Sequence, residues 1–525
     1  MGGIIYTMNK KIKLLIPFVV AIVVYLIGMA AISFSPSVQN VDGVPQLTLQ
    51  AWLFLSIFLG VIVGLILEPV PPALVGLAGI VFAVFFRVGA AYPGSMAAGD
   101  AITFNTISNS SAISWGLSGF TDSTVWLIFA AFAIGLGYQK SGLGRRIAML
   151  LVSKLGKSTL GLGYAIALTD GVLAPFIPSN TARSGGVVYP IVASIPGMFD
   201  SSADKDRRKI GSYIMWVALA STCVTSSMFM TGLAPNALAI STTNSPITWL
   251  GWLIAFLPAG IILFVITPFL SYKLYPPEVK GSPEIVTWAK QEVGKLGPIT
   301  AREKWMLGIS VFALVFWILS SVKSVATMWP LALNGTTTAL LVIVFMMAAK
   351  VINWDDFLSN KPAWNVLMWF GTLVALAGGL RNVGFLDWLG NGLNQYLNGV
   401  SPMVAIIALV LAFWFLHYFF ASTTAHVTAL MALFLVIIQA VFINDPSKVF
   451  LVTVLLMLEL GIMGIISPYG TGPSPVYFGS GYISSGEFWK LGTIFGFINL
   501  IVFMVIEIPW VLYVVNNIIT PVLTP

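Results

Sequence analysis

Charged residues are scarce in this chain. They make up 9% of its 525 residues, whereas a soluble protein carries about 25%. Hydrophobic residues make up 58%, and they form runs long enough to cross the roughly 30 Å hydrocarbon core of a bilayer, as at residues 14–33, 51–67 and 449–466. This composition excludes a soluble globular protein and predicts an all-α polytopic membrane protein.

Cysteine and histidine are nearly absent as well. Cys223 is the only cysteine, which excludes an intramolecular disulfide. The two histidines, His417 and His426, are too few for a metal cluster, so we expect no metal and no cofactor. No Ser-His-Asp arrangement, H-E-x-x-H motif or phosphate loop is found. The sequence therefore favours a protein that is not an enzyme.

The net charge of +7 indicates membrane orientation and not a nucleic-acid partner. With a cytoplasmic N-terminus, 21 of the 26 Lys and Arg residues lie inside and four outside, with Arg183 in neither group. This arrangement follows the positive-inside rule, and it requires two apolar segments, 160–198 and 402–443, to be re-entrant hairpins that enter from opposite faces.

The remaining apolar segments predict about 11 transmembrane helices. Two of them, the fifth and the tenth, are expected to be broken near residues 231–236 and 467–475. The predicted spans are residues 14–33, 51–67, 72–89, 125–137, 211–241, 249–271, 305–321, 327–349, 364–379, 449–477 and 491–515.

A series of motifs occurs twice at matched spacing. Gly142 is followed 37 residues later by Ser179 in the sequence SNTAR, and Thr231-Gly232 comes 52 residues after that serine. In the second half, Gly384 is followed 38 residues later by Ser422 in the sequence STTAH, and Thr471-Gly472-Pro473 comes 49 residues after it. Such duplication, with hairpins of opposite direction, predicts an inverted-repeat transporter with a site at the repeat interface.

Helix-breaking polar sequence at membrane depth is tolerated only where it is buried or lines a polar cavity, because lipid offers no hydrogen bonds. At each hairpin tip a second helix begins, and its free amides and positive dipole end suit a carboxylate. We therefore predict that the tips and the broken helices bind one small anion. The predicted ligand-binding residues are Ser179, Asn180, Thr181, Thr231, Gly232, Ser422, Thr423, Thr424, Thr471, Gly472 and Pro473.

Arg183 and His426 each lie four residues after the serine of their motif, and charged groups at membrane depth are functional candidates. The alternatives are that Arg183 extends to the cytoplasmic surface or pairs with Asp170, and that His426 is neutral and bonded to a backbone carbonyl. His417 lies among aromatic residues and is interpreted as packing. Asp170 and Glu459 are either proton relays or structural partners of a cation.

These motifs resemble the divalent-anion/sodium symporter (DASS) family over nearly the full length. Residues 173–190 and 461–481 are especially similar to its bacterial citrate/succinate and tartrate/succinate antiporters. The resemblance implies a homodimer in the bacterial cytoplasmic membrane that moves di- or tricarboxylates by an elevator mechanism. It implies scaffold regions at 1–158 and 305–400, transport regions at 159–272 and 401–525, and a cytoplasmic linker at 273–304.

The second motif reads Ser-Thr-Thr where sodium-coupled members of the family have Ser-Asn-Thr, and Arg183 and His426 follow the motifs as in exchangers. A guanidinium repels sodium, yet it can neutralise a dicarboxylate in sodium's place. Because a fixed cation cannot leave, we expect an empty carrier with uncompensated charge to move poorly, which makes the protein an obligate, sodium-independent exchanger.

The residues leave several alternatives open. A sodium-coupled dicarboxylate symporter is the nearest, and a membrane-embedded enzyme and a passive anion channel are of different classes. Succinate, fumarate, malate, tartrate, 2-oxoglutarate and citrate present similar carboxylates, so the sequence does not select among them.

Overall fold

The structure is a computed structural model that is almost entirely helical. It describes residues 9–35, 40–41, 44–92, 102–103, 105–281, 283–322, 325, 334–397, 400–443, 445–515 and 517. Two antiparallel strands of two residues each, β1 (Asn40–Val41) and β2 (Val44–Pro45), precede the second helix. The expected all-α membrane class is confirmed in the described part of the chain.

The first half of the chain contains twelve described α-helices. They are α1 (Lys10–Ala31), α2 (Leu49–Leu67), α3 (Pro72–Phe85), α4 (Asn109–Leu117), α5 (Ser123–Ser141), α6 (Leu143–Leu155), α7 (Thr159–Leu173), α8 (Tyr189–Ser194), α9 (Gly211–Met228), α10 (Ala234–Thr243), α11 (Trp249–Leu274) and α12 (Pro283–Leu296). A π-helix, Thr181–Val188, runs into α8, and 3₁₀ turns occupy Ser118–Thr121, Pro196–Phe199 and Met230–Gly232.

The second half of the chain contains eleven described α-helices. Its described α-helices are α13 (Ala301–Ser320), α14 (Gly335–Ala348), α15 (Trp354–Leu358), α16 (Lys361–Asn382), α17 (Phe385–Leu397), α18 (Pro402–Leu416), α19 (Thr423–Val441), α20 (Pro446–Leu458), α21 (Ser474–Gly479), α22 (Ser485–Val502) and α23 (Ile508–Val514). The 3₁₀ turns His417–Phe419 and Ile462–Ile465 and the π-helix Phe503–Glu507 complete it.

Within the described residues, nine helices are long and apolar enough to cross a membrane, or ten if the bent pair 109–121 and 123–141 forms one span. Seven of the nine coincide with predicted spans, and the other two are the arms of the second predicted hairpin. The predicted third and eighth spans correspond to shorter helices, α3 and α14. The start of the eighth, residues 327–333, lies outside the described residues. Re-entrance of the hairpins stays a prediction.

Amphipathic helices are the elements that the sequence interpretation missed. Residues 273–304 were expected to be a plain linker, yet they contain α12, with Pro283 at its start and Glu284 in its first turn. Helices α6 and α17 were also not predicted. Each has 13 residues and follows a glycine in the left-handed conformation, Gly142 with φ 80° and Gly384 with φ 73°.

The chain divides into two compact units, each discontinuous in sequence. Unit 1 contains residues 1–126, 238–245 and 364–453, and unit 2 contains residues 127–237, 246–363 and 454–525. At the centre of unit 2 is α9, in which every residue from Gly211 to Ser227 is buried. A helix that is buried on all sides is fixed in place by its neighbours, which suits α9 to present polar groups accurately.

Hydrogen bonds inside unit 2 connect the two halves of the sequence. The Ser227 hydroxyl on α9 accepts the backbone amides of Gly461 (3.0 Å) and Ile462 (3.1 Å). In α11, Pro258 has no amide to offer the Ile254 carbonyl, and Trp510 Nε1 donates to that carbonyl instead, at 2.9 Å.

A buried arginine of α6 binds residues at the end of the segment 273–304. Arg146 forms a bidentate ion pair with Glu303 (2.6 and 3.1 Å) and also donates to the carbonyls of residues 296–298. Its neighbour Arg145 is exposed and pairs with Glu292 on α12 at 2.7 Å. Hydrogen bonds from Lys295 and Arg145 hold the pKa of Glu292 below its usual value.

Candidate functional site

The first hairpin tip is a capped helix start. The Ser179 hydroxyl accepts the backbone amide of Ala182 at 3.2 Å, and the Ser179 carbonyl accepts the amide of Arg183 at 2.8 Å. The side chain of Asn180 is buried, whereas Thr181 is exposed. The predicted break between two helices is therefore present, and its polar residues lie at the start of the second helix.

The second broken helix meets this tip. Asn180 Nδ2 donates to Thr471 Oγ1 at 2.8 Å. A Cβ atom at Gly472 would lie 1.8 Å from Thr181 Oγ1, so any larger residue here requires that threonine to shift. Pro473 stands at the cap of α21 and is buried. The structure thus brings together, inside unit 2, the predicted residues 179–181 and 471–473.

A tyrosine reinforces the same junction. Tyr477 is buried on α21, and its hydroxyl lies 2.9 Å from the Ser184 hydroxyl and 3.2 Å from the Ser184 carbonyl. A π-helix is wider than an α-helix and leaves carbonyls without regular partners, which makes a side-chain donor valuable there. The sequence interpretation did not single out Tyr477, because nothing in its local spacing relates it to residue 184.

Thr231 and Gly232, at the break between α9 and α10, form hydrogen bonds to residues of the first hairpin. Thr231 Oγ1 donates to the Pro175 carbonyl at 2.6 Å and accepts Trp249 Nε1 at 3.1 Å. The Gly232 carbonyl accepts Arg183 Nη1 at 2.7 Å. Both groups predicted to bind a ligand are thus engaged with protein atoms.

Arg183 is completely buried, and all of its N–H groups have protein acceptors. Nε donates to Asp170 (3.1 Å), and Nη1 donates to the carbonyls of Ile177 (2.8 Å) and Gly232 (2.7 Å). Nη2 faces three hydroxyls of α9, which belong to Thr222, Thr225 and Ser226 at 3.2–3.5 Å. A guanidinium has five donors, so none is left for a ligand in this state.

Asp170 is the buried counter-ion of Arg183. Besides the guanidinium it accepts the hydroxyl of Thr222 at 3.1 Å and that of Thr225 in a short hydrogen bond. The expectation of an uncompensated charge on Arg183 is therefore wrong, and the alternative of a pair with Asp170 is confirmed. The sequence contained a signal for the hydroxyls, since residues 221–227 of α9 read STCVTSS.

The second tip belongs to unit 1 and is built in a similar way. The Ser422 hydroxyl accepts the amide of Ala425 at 3.2 Å and caps α19, and Thr423 is buried. The carbonyl of Thr424 accepts the Thr428 hydroxyl at 2.8 Å. As at the first tip, a serine begins the second helix, with two threonines in its first turn.

His426 is fully buried among rings. The ring centroids of Phe413, Phe420 and His417 lie 4.2, 5.2 and 5.0 Å from its own, all nearly perpendicular to it. Neither ring nitrogen of His426 has a hydrogen-bond partner in the described part of the chain. The alternative of a bond to a backbone carbonyl is thus not observed. His417 packs as expected, but its contact with His426 was not foreseen.

Another buried carboxyl group, that of Glu459 in unit 2, likewise has no hydrogen-bond partner among the described residues. Asp170 has become a structural partner, whereas Glu459 has not. Among the residues that the structure describes, no group of three or more His, Cys, Asp or Glu could hold a metal ion.

A separate cavity of about 700 Å³ opens in unit 2 between α6, the π-helix with α8, and α12. Tyr138, Gly186 and Trp288 line it, with the ion pair of Arg145 and Glu292 at its wall. Its lining does not include residues 179–182 or 471–473, so it is distinct from the tip.

Solved transporters share this fold. The YdaH transporter of Alcanivorax borkumensis matches with a TM-score of 0.52 at 12% identity, over 84% of this chain and 98% of that one. MtrF of Neisseria gonorrhoeae matches with a TM-score of 0.53 at 13% identity, over 88% and 95%. At such low identity the likeness concerns the fold alone.

Similarity in sequence is much higher to L-tartrate/succinate antiporters. The protein of that name from Escherichia coli O157:H7 is 40% identical over 491 residues, which are 93% of this chain and 97% of that protein. The one from Escherichia coli K12 is 41% identical over 466 residues, or 88% and 92%. The family model described as the sodium:sulfate symporter transmembrane region matches residues 13–516. The chain is therefore a member of this family of divalent-anion transporters, the DASS family.

Proposed function

We propose that the protein is an antiporter that exchanges dicarboxylates such as succinate and tartrate across the membrane. The observation that carries this proposal is the 40% identity to L-tartrate/succinate antiporters over 93% of the chain. The family model matches residues 13–516, which include both tips and both helix breaks and hence the residues that we propose to select the substrate. Tricarboxylates such as citrate remain within the proposed substrate class.

The proposed carboxylate ligands are the polar groups of the two tips. Ser179, Asn180 and Thr181 would act with residues 471–473 on a carboxylate in unit 2, and residues 422–424 offer a carboxylate position in unit 1. The exposed Thr181 and Gly472 lie against each other, which supports a ligand position at that junction. Thr231 and Gly232 form hydrogen bonds to residues of the first hairpin. We therefore propose that they hold the tip in position and do not contact the ligand.

Arg183 supports sodium independence through the oxygens that it occupies. A sodium ion needs several oxygen ligands, and the carbonyls and hydroxyls around the first tip already accept N–H groups of this residue. The guanidinium, held by Asp170, takes the place that a cation would fill. We therefore propose that it replaces sodium as a structural cation that shapes the tip.

An uncompensated charge on Arg183 does not explain obligate exchange, because Asp170 neutralises that charge. The names of the relatives support exchange, and we keep it as the proposed mode of transport. We also propose an elevator motion of the transport regions, a homodimer, and residence in the bacterial inner membrane with a cytoplasmic N-terminus.

Purified protein in proteoliposomes tests the function. Vesicles preloaded with unlabelled succinate or tartrate should take up labelled succinate, whereas empty vesicles should not, and a sodium gradient should change neither result. Liposomes without protein give the background. Failure of every di- and tricarboxylate to drive counterflow would contradict the proposed substrate class.

The second candidate is a sodium-coupled dicarboxylate symporter, which the description of the family model favours. It predicts the opposite result in the same assay. Labelled succinate would accumulate in empty vesicles when sodium is added outside, and replacement of sodium by potassium would abolish the uptake.

A further inference from the structure

One side of α11 in unit 2 is apolar and exposed. The helix is long and apolar enough to cross a membrane. Ile261, Val265 and Phe269 are 43–51% exposed, and their spacing of four residues places them on the same side of the helix. Lys273 continues this spacing, and its Nζ lies 5.7 Å from the centre of the Phe269 ring. The exposed apolar side of α11 therefore ends at a cation.

Helix α7, which precedes the first hairpin tip, extends this apolar surface. The Tyr164 hydroxyl donates to the Val265 carbonyl of α11 at 2.8 Å, which joins the two helices. Val172, further along α7, is exposed. Tyrosine is enriched where hydrocarbon meets water, because its ring is apolar and its hydroxyl is polar. The position of Tyr164 near the start of α7 thus indicates that the headgroup region of a bilayer lies at this end of the helix.

Two further lysines lie at the same end of α7 and α11. Thr159, the first residue of α7, donates its amide to the Lys280 carbonyl at 3.0 Å and its hydroxyl to the Val279 carbonyl at 2.6 Å. These bonds place Lys157, just before α7, close to the segment that follows α11. Lys280 Nζ in turn lies 4.8 Å from the centre of the Tyr272 ring, in the last turn of α11. Three cations from separate segments thus meet at the end of one apolar surface.

The charge of these lysines is not balanced by the described part of the chain. None of the described ion pairs includes Lys157, Lys273 or Lys280. Segments 157–159 and 273–281 contain one carboxyl group, that of Glu278, against the three lysines, which leaves a net charge of +2. An ammonium has three N–H donors and no acceptor, so each lysine is suited to an anionic oxygen.

We propose that this end of α7 and α11 binds an anionic phospholipid of the cytoplasmic leaflet. The three lysines bind its phosphate, and its acyl chains lie along the exposed side of α11. Basic residues at the cytoplasmic ends of membrane helices attract anionic headgroups. A second copy of the chain, packed here about a twofold axis, would bring the same lysines against these and be repelled. The inference uses the proposed orientation of the chain but not its proposed substrate.

Native mass spectrometry of the full-length protein in detergent tests this binding. The protein is titrated with phosphatidylglycerol, which is anionic, and with phosphatidylethanolamine of the same acyl chains, which carries no net charge. Phosphatidylglycerol should bind more tightly by at least about fivefold, the contribution of one lysine near an anionic headgroup. Equal binding of the two lipids would overturn the proposal. Glycerol 3-phosphate, which lacks acyl chains, should not displace the lipid, and displacement would indicate a site for a small phosphate instead.

Substitution of the three lysines by glutamine locates the site. The triple variant should bind phosphatidylglycerol no better than phosphatidylethanolamine, and each single substitution should weaken the binding of phosphatidylglycerol about fivefold. A control variant loses the same charge at other surface positions of unit 2, by the substitutions Lys205→Gln, Lys209→Gln and Lys290→Gln. It should keep the preference of the wild type. A preference that survives in the triple variant, or that disappears equally in the control, would refute the assignment.

Two further measurements separate this inference from the proposed function. A monodisperse elution profile shows that each variant is folded, and the comparison of the two lipids on the wild-type protein tests the proposal without any variant. Absence of dicarboxylate counterflow in the wild type contradicts the proposed function and leaves the lipid site standing. Absence of a preference for phosphatidylglycerol, with counterflow intact, contradicts only the present inference.

Discussion

At the scale of single residues, the network around Arg183 shows how a buried charge can be held entirely by protein acceptors beside a helix break. Its guanidinium connects the first hairpin, the break after α9 and Asp170. Arginine suits this position because its planar fork of donors is always charged and reaches several acceptors at once. The residue thus holds the tip in its shape, and the neighbouring amides and hydroxyls are the groups that we propose as ligand contacts.

Neutralising Arg183 alone should lower the free energy of unfolding more than neutralising both Arg183 and Asp170. Arg183→Gln leaves the buried Asp170 carboxylate without its cation, which costs about 3–5 kcal/mol of unfolding free energy. The double variant with Asp170→Asn leaves no buried charge and should recover a large part of that loss. Thermal unfolding in detergent measures both, and additive losses in the double variant would show that the two residues are not coupled.

The contact between Gly472 and Thr181 predicts a specific steric effect. Gly472→Ala places a Cβ atom against the threonine hydroxyl, and overpacking of this kind costs about 1–3 kcal/mol, enough to slow exchange roughly tenfold. Gly479→Ala, at the end of the short helix that follows Gly472, is the control, since nothing lies within 4 Å of its added Cβ atom. Equal rates of succinate exchange in the two variants would argue against a tight junction.

At the scale of elements, hydropathy predicted the long apolar helices and missed the amphipathic ones. The long apolar helices, the breaks at residues 231–236 and 467–475, and the serine-capped tips follow from local sequence. Helices α6, α12 and α17 were missed because half of each surface is polar, which lowers the mean hydropathy. The signal was present in their helical periodicity and, for α12, in the proline and glutamate of its first turn.

The attachment of the linker by α6 should depend on Arg146 and not on the arginine beside it. Arg146→Gln removes a buried bidentate ion pair and three carbonyl contacts, so the segment at residues 296–300 should loosen. Faster tryptic cleavage at the exposed Lys295 would report this. Arg145→Gln removes only a surface pair, of the kind worth about 0–1 kcal/mol, and should leave the cleavage rate unchanged.

At the scale of the whole molecule, the sequence predicted which motifs come together, but it did not predict the hydrogen-bond partners of their side chains. The repeated spacing identified residues 179–183 and 471–473, and the structure brings these together in unit 2. The hydroxyls of Thr222, Thr225 and Ser226 lie about 40 residues from Arg183 in the chain, so no local pattern relates them to it. Side-chain partners of this kind become apparent only when the helices are packed.

The orientation of the chain can be tested with its single cysteine. Cys223 is fully buried, so the native protein should resist an impermeant maleimide in intact cells. Lys154→Cys on α6 should react only from the cytoplasmic side, and Ser110→Cys on α4 only from outside. Labelling of residue 154 in intact cells would contradict the proposed topology. The native protein, which should stay unlabelled, is the control.

The hydrogen bonds that join the two halves within unit 2 also constrain how the protein is made. Asn180, Ser184, Ser227 and the Ile254 carbonyl all take their partners from residues 461–510. While the ribosome is still translating the second half, these groups of the first half have been inserted without those partners. Maturation of the first half must therefore wait for nearly the last helix to emerge, and a polypeptide released early would present unsatisfied polar groups to the quality-control proteases of the membrane.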